Sequence, residues 1–322
     1  MQILQTLTIH DYPEVGREPD ICFGQQQYLV VWSQGEFGGE SKVRAARVSP
    51  GGVVLDTGIV CGMDHYCEYR PSVAFDNDRF LVVWYNYVEL PAGIFGRFVD
   101  QNCVPVGREF QIRDLPVNTS NDPDIAFLDS VYLVVWNEPS LQSDDDIYGQ
   151  IVGKDGTLIG NEIPIAIGTS YQYQARICTA DSMFLVLWNQ EAQVRGQFIT
   201  LDGALIGDNF QVSDPAIRPR DFPDVAYGDQ QFLAVWHEFI NDDHGIYGNL
   251  DISPWTNEGY NNAPSLYDII PTIMTKRFTG LSGSEYRIYD INGRQIHTID
   301  PAPGVYFLEV EGKILQKIIK IE

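Results

Sequence analysis

Five carboxylates stand at recurring places in this chain. Asp20, Asp124 and Asp224 each follow a proline and lead a short apolar run, and Glu138 and Glu238 each stand two residues after a tryptophan. Two carboxyl groups held ~5–9 Å apart are the equipment for breaking a glycosidic bond. Recurrence also supports a structural reading, because chemistry needs one copy and a fold device needs several; on that reading the aspartates steady turns and the glutamates fix loop backbones. The residues that break the recurrence are Arg176, where other copies have Asp or Ser, and His237, where others have Ser, Tyr or Asn. Tyr66, Tyr69, Tyr85, Tyr87, Tyr171, Tyr173 and Phe222 gather in the connecting segments. Rings beside amides and carboxylates suit sugars, whose apolar faces stack on the ring while their hydroxyls bond the polar groups. The same rings could equally pack the loops down. No nucleophile elbow, HExxH or phosphate loop is present. Asp242-Asp-His244 and Asp144-Asp-Asp146 are candidates for calcium or solvated loop acids, and neither has the spacing of a known calcium loop. No other cofactor is expected.

The elements that must position these residues come from one repeated stretch. Tyr28-Leu-Val-Val-Trp32 returns as Phe80-Leu-Val-Val-Trp84, Tyr132-Leu-Val-Val-Trp136, Phe184-Leu-Val-Leu-Trp188 and Phe232-Leu-Ala-Val-Trp236, at steps of 52, 52, 52 and 48 residues. A period of ~40–50 residues marks a repeat architecture. Before each copy stands a short strand such as Pro71-Ser-Val-Ala-Phe75, joined to it by a tight turn. After it come a longer loop, a third strand such as Ile94-Phe-Gly-Arg-Phe-Val99, and a fourth such as Gly107-Arg-Glu-Phe-Gln-Ile112. Four short strands per repeat predict the blade of a β-propeller, and the region resembles bacterial β-propeller repeats. The second strand is apolar on both faces, as a strand between stacked blades must be.

The expected fold is therefore all-β: a five-bladed β-propeller over residues 1–253, a linker over 254–263, and a small antiparallel β-sandwich over 264–322. The fifth copy stops after its third strand, while Gln2 to Ile9 alternates like an orphan strand. This predicts that the N-terminal strand completes the fifth blade and closes the ring, removing exposed edges. Composition breaks at the same boundary. Seven acidic and seven basic residues lie from Asn262 to Glu322, so the whole excess behind the net charge of -23 lies before it. That charge argues against nucleic acid as a partner. No apolar run approaches the ~18–20 residues of a membrane helix. Cys22 and Cys178 share one repeat slot and read as small core residues.

The last 60 or so residues carry Tyr289-Asp290 with Gly293 and Arg294, then Gly304-Val-Tyr306, then a closing lysine-rich strand with Lys317 and Lys320. In this order they resemble the type A C-terminal sorting domain of proteins exported by the type IX secretion system. The resemblance implies the secretion machinery as a partner and a secreted or cell-surface location, where disulfides persist. Cys61 and Cys67, with five residues between them in one loop, are then expected to pair. The function expected is a binding module for a glycan or surface ligand, with Tyr66, Tyr69, Tyr85, Tyr87, Glu138, Tyr171, Tyr173, Arg176, His237 and Glu238 as its candidate contacts. The alternative is a hydrolase, by analogy of fold with the five-bladed glycoside hydrolases.

Overall fold

The computed structural model describes residues 6–10, 15–35, 40–60, 68–86, 91–116, 121–139, 145–180, 182–214, 219–240, 243–250, 252, 272–274, 286–290, 295–296, 304–310 and 313–320. Every regular element among them is a strand. The first blade comprises β1 (Gly16–Gly24), β2 (Gln27–Gly35), β3 (Ser41–Val48) and β4 (Val54–Val60). The second comprises β5 (Glu68–Phe75), β6 (Phe80–Asn86), β7 (Gly93–Val99) and β8 (Pro105–Asp114). The third has β9 (Asp124–Leu128), β10 (Val131–Glu138), β11 (Asp146–Gly153) and β12 (Leu158–Ala166). The fourth has β13 (Gln172–Ala180), β14 (Met183–Gln190), β15 (Gln193–Thr200) and β16 (Leu205–Gln211). The fifth has β17 (Arg220–Gly228), β18 (Gln231–Ile240) and β19 (Asp243–Asn249). Each blade is an antiparallel meander in chain order, and the five together make a five-bladed β-propeller.

The apolar second strand works as its sequence requires. Phe80, Val82 and Trp84 of β6 join Leu29, Val31, Val43 and Ala45 of the preceding blade in one cluster. Leu81 and Val83, on the opposite face, join Ile125, Tyr132, Val134 and Trp136 of the following blade. The pattern repeats between the third and fourth blades and between the fourth and fifth. Two buried faces leave no solvent side to carry polar residues, so the alternation seen in ordinary surface strands is lost. The third strand contributes a repeated glycine for a steric reason. A Cβ on Gly196 would lie 2.9 Å from Phe210 Cζ and 3.1 Å from Leu187 Cδ2. Gly196→Ala should therefore displace the Phe210 ring and cost ~1–3 kcal/mol. A denaturation midpoint equal to that of the parent would show that the ring yields freely.

The first and fifth blades each leave apolar side chains exposed. Ile21 and Phe23 of β1 are 57% and 54% exposed, and Leu233 and Ile246 of the fifth blade are 43% and 76% exposed. Ile9 packs against Val30, Trp32, Ala46 and Val48 on the face of the first blade turned away from the second. The His10 ring centre lies 5.4 Å from that of Trp32. The fifth blade has three strands among the described residues, and residues 6–8 form no strand. The remainder of the expected closing strand, residues 1–5, lies outside the described residues.

In the C-terminal region, β20 (Thr272–Met274), β21 (Tyr286–Asp290), β22 (Gln295–Ile296), β23 (Gly304–Val310) and β24 (Lys313–Lys320) form one sheet in the order β20-β24-β23-β21-β22. Its β20–β24 pairing is parallel, where an antiparallel sandwich was expected. Tyr289 and Asp290 lie on β21, Gly304 and Tyr306 on β23, and Lys317 and Lys320 on β24. Gly293 and Arg294 lie outside the described residues, as does the expected linker. No described helix is long and apolar enough to cross a membrane.

Candidate functional site

The innermost strands β1, β5, β9, β13 and β17 bring equivalent repeat slots together. One slot holds Asp20, Ser72, Asp124, Arg176 and Asp224. Asp20 Oδ2 accepts hydrogen bonds from the Val73 backbone N–H at 2.8 Å and from Ser72 Oγ at 2.9 Å. Ser72 Oγ also lies 2.8 Å from Asp124 Oδ1, and Asp124 Oδ2 accepts the Ile177 N–H at 2.9 Å. The aspartates thus tie one inner strand to the next, across blades, where a turn-stabilising role was expected.

Ser72 has a single proton to give, yet two carboxyl groups stand within bonding distance of its oxygen. Both contacts are hydrogen bonds only when one carboxyl is itself protonated and donates to Oγ. The electrostatics agree. Burial pushes Asp124 up to about 6, against the opposing pull of the Arg176 cation and with a further push from Asp20. Burial also raises Asp20, while the Val73 N–H and the Ser72 hydroxyl hold it down. The two acids therefore have unlike surroundings, and the cation in the fourth slot is shared between them.

Two residues earlier, a second slot holds Glu18, Arg70, Asp122, Gln174 and Phe222. Four of these, Glu18, Arg70, Gln174 and Phe222, have left-handed backbone with φ of 53°, 52°, 57° and 55°. Each sits where the register of its strand pair slips, a β-bulge that bends the strand and re-aims side chains. Glu18 Oε2 accepts the Arg70 N–H at 3.0 Å, Arg70 pairs with Asp122, and Gln174 Oε1 accepts the Phe222 N–H at 2.8 Å. In the last blade the slot ends in an aromatic ring, Phe222, 63% exposed. Beside it the Tyr173 hydroxyl donates to Asp221 Oδ1 at 2.8 Å. Tyr171, 45% exposed, stacks on Tyr173 with ring centres 4.8 Å apart. The stacked Tyr171–Tyr173 pair and the exposed Phe222 ring are thus aromatic groups at the bulged ends of two successive inner strands.

The other expected contacts are placed differently. Tyr69 and Tyr85 are buried and offer no ring to a ligand. Glu138 and Glu238 are buried within their blades, where they accept the indole N–H of Trp136 and Trp236 at 3.0 and 3.3 Å. Gln190 serves Trp188 in the same way at 3.3 Å. Each glutamate also meets an arginine: Arg113 Nε and Nη2 reach Glu138 at 3.0 and 2.9 Å, and Arg220 Nε reaches Glu238 at 3.0 Å. Arg176 Nη1 donates to the Ala175 carbonyl at 2.8 Å. His237 Nε2 lies 3.0 Å from His244 Nδ1. Tyr66, Tyr87, Cys61 and Cys67 lie outside the described residues. Cys22 and Cys178 are free thiols, half-buried at the edges of two inter-blade clusters. Asp145 and Asp146 are buried and hold Asn137 and the Gly168 N–H. No group of three or more metal-ligating residues occurs among the described residues.

Sequence reasoning missed Ser72 and, in the second slot, Glu18, Arg70, Asp122 and Gln174; Phe222 was singled out only as a loop aromatic. Their signal is the repeat itself: each stands at the step of 52 or 48 residues from its equivalents.

The sequence matches no protein-family model and no curated protein. Among solved structures the chain is similar to a thermostable family-43 glycoside hydrolase, with a TM-score of 0.46 and 12% identity over 93% of this chain and 99% of that one. It is similar also to Bacteroides ovatus xyloglucan PUL GH43B, with a TM-score of 0.45 and 13% identity over 92% of this chain and 66% of that one. A third is the GH43_1 enzyme from Xanthomonas citri complexed with xylose, at a TM-score of 0.44 and 10% identity over 73% and 86% of the two chains.

Proposed function

We propose that the propeller is a carbohydrate-active protein that hydrolyses glycosidic bonds with Asp124 as the proton donor and Asp20 as the second carboxylate. The observation that carries this reading is the Asp20–Ser72–Asp124 cluster, in which two unlike acids bracket one hydroxyl and Asp124 is raised to about 6. The shared hydroxyl keeps the nearest carboxyl oxygens under ~6 Å apart, within the span that glycosidic cleavage uses. Asp124 gives its proton to the leaving oxygen, and Asp20, as carboxylate, faces the anomeric carbon or the attacking water. Tyr171, Tyr173 and Phe222 hold the sugar ring by its apolar face. Activity requires Asp124 protonated and Asp20 ionised, so it falls as pH rises through about 6 and falls again on the acid side as Asp20 takes up a proton.

A screen of polysaccharides and aryl glycosides tests the reading. Asp124→Asn keeps the acceptor for the Ile177 N–H, so it should fold and melt like the parent while turnover falls ~10²–10⁴-fold. Undiminished turnover in this variant ends the assignment.

A second reading, a glycan-binding module without turnover, is favoured by one observation: both aspartates hold backbone N–H groups of the neighbouring blade. Its mark would be glycan binding by the parent with no hydrolysis, weakened by Phe222→Ala and untouched by Asp124→Asn. In either case the sorting-domain resemblance of the C-terminal strands supports action outside the cell.

A further inference from the structure

We propose that His237 and His244 form a binding site for a divalent transition-metal ion of the Zn2+, Ni2+ or Cu2+ class. The two histidines belong to different parts of the last hairpin. His237 lies on β18 opposite Ile246, and His244 lies on β19 opposite Phe239, so both imidazoles stand on one face of the β18–β19 pair, one diagonal step apart. Their facing nitrogens, His237 Nε2 and His244 Nδ1, are 3.0 Å apart. Zinc-type ions take imidazole nitrogens at ~2.0–2.1 Å, so two nitrogens sharing one ion lie ~3.0–3.4 Å from each other. The observed separation is at the short end of that range; without the ion it is a hydrogen bond in which one ring donates its N–H to the other, and an ion would displace that proton and turn each ring by ~40° to bring both lone pairs to a common centre.

The pair is also held in place. The Phe239 ring stands edge-on to both imidazoles, 4.2 Å from His237 at 60° and 4.9 Å from His244 at 66°. The imidazole planes are within 15° of one another. Side chains restrained before the ion arrives lose less freedom on binding it. His244 is exposed and His237 half-buried, so the site opens to solvent on the His244 side, where water would supply the remaining ligands. Asp221 stands opposite His237 in the strand pairing, and its Oδ1 accepts the Tyr173 hydroxyl. The ion would thus staple the hairpin two contacts away from the stacked Tyr171–Tyr173 pair. Imidazole donors select borderline transition metals over calcium, whose preference is for oxygen. The site therefore differs in kind from the calcium suggested by Asp242-Asp-His244.

The full chain without an affinity tag, stripped with a chelator, is titrated calorimetrically with ZnCl2, NiCl2 and CaCl2. One Zn2+ or Ni2+ per chain is expected, with no calcium heat. His237→Ala and His244→Ala should each weaken the transition metal at least ~10-fold, and His10→Ala, at Trp32, should leave it unchanged. The electron paramagnetic resonance spectrum of bound Cu2+ should show coupling to two imidazole nitrogens in the parent and one in each variant. The proposal is overturned by a transition-metal affinity in both variants equal to the parent's, by a Cu2+ spectrum without two-nitrogen coupling, or by a parent that binds only calcium or nothing.

Discussion

Replacing Arg220 by alanine is expected to destabilise the propeller by ~3–5 kcal/mol, the cost of leaving a buried charge without its partner. The Arg220 side chain is fully enclosed. Its guanidinium donates to Glu238 at 3.0 Å, to the Ala192 carbonyl at 3.3 Å, to Ser213 Oγ at 3.1 Å and to the Asp214 carbonyl at 3.1 Å, and it pairs with the Asp214 carboxylate. Glu238 is 1% exposed and also accepts the Trp236 indole N–H. Removing the cation leaves that buried carboxylate without its arginine and unties the fourth blade from the fifth. Urea denaturation should show the midpoint falling with little change in slope. The double variant Arg220→Met with Glu238→Leu should lose less than Arg220→Ala alone, because it buries no orphan charge. If Arg220→Ala stays within ~1 kcal/mol of the parent, the cluster is not holding the two blades together.

Glu68 should make the fold lose stability as the solution turns from acid to neutral. The residue is 0% exposed, and burial, the largest influence, lifts it from its ordinary 4.5 to about 7. The Val43 N–H, 2.8 Å from Oε2, opposes the rise, and Lys42 at 4.0 Å does so weakly. Because the folded protein holds this proton more tightly than the unfolded chain, it binds more protons between pH 4.5 and 7, and stability falls as pH rises through that window. The full swing is at most ~3 kcal/mol. Glu68→Gln carries no titrating group, so it should be the more stable protein at pH 8 and lack this component of the slope. Stability profiles of the two proteins running parallel from pH 5 to pH 8 would remove Glu68 as the cause.

These two residues share one repeat slot with Gln172, and all three are buried. Nothing in the local sequence says so, because Glu68, Gln172 and Arg220 are surface types elsewhere. The blade count, the strand order and the apolar second strand were legible because they depend on neighbours in sequence and recur five times. Phe80, Val82 and Trp84 had to face one blade, and Leu81 and Val83 the other, once a strand apolar on both sides was recognised. The candidate site was legible only as a set of slots. That Asp20 and Asp124 both reach Ser72 depends on contacts spanning 52 residues of chain. That Tyr69 and Tyr85 are buried while Tyr171 is open depends on how each blade packs on the next. The period assigns a residue to a position on a strand, but a bulge and the adjoining blade decide which way its side chain faces. Only the tertiary structure could place His237 against His244, because that contact is made by the pairing of β18 with β19.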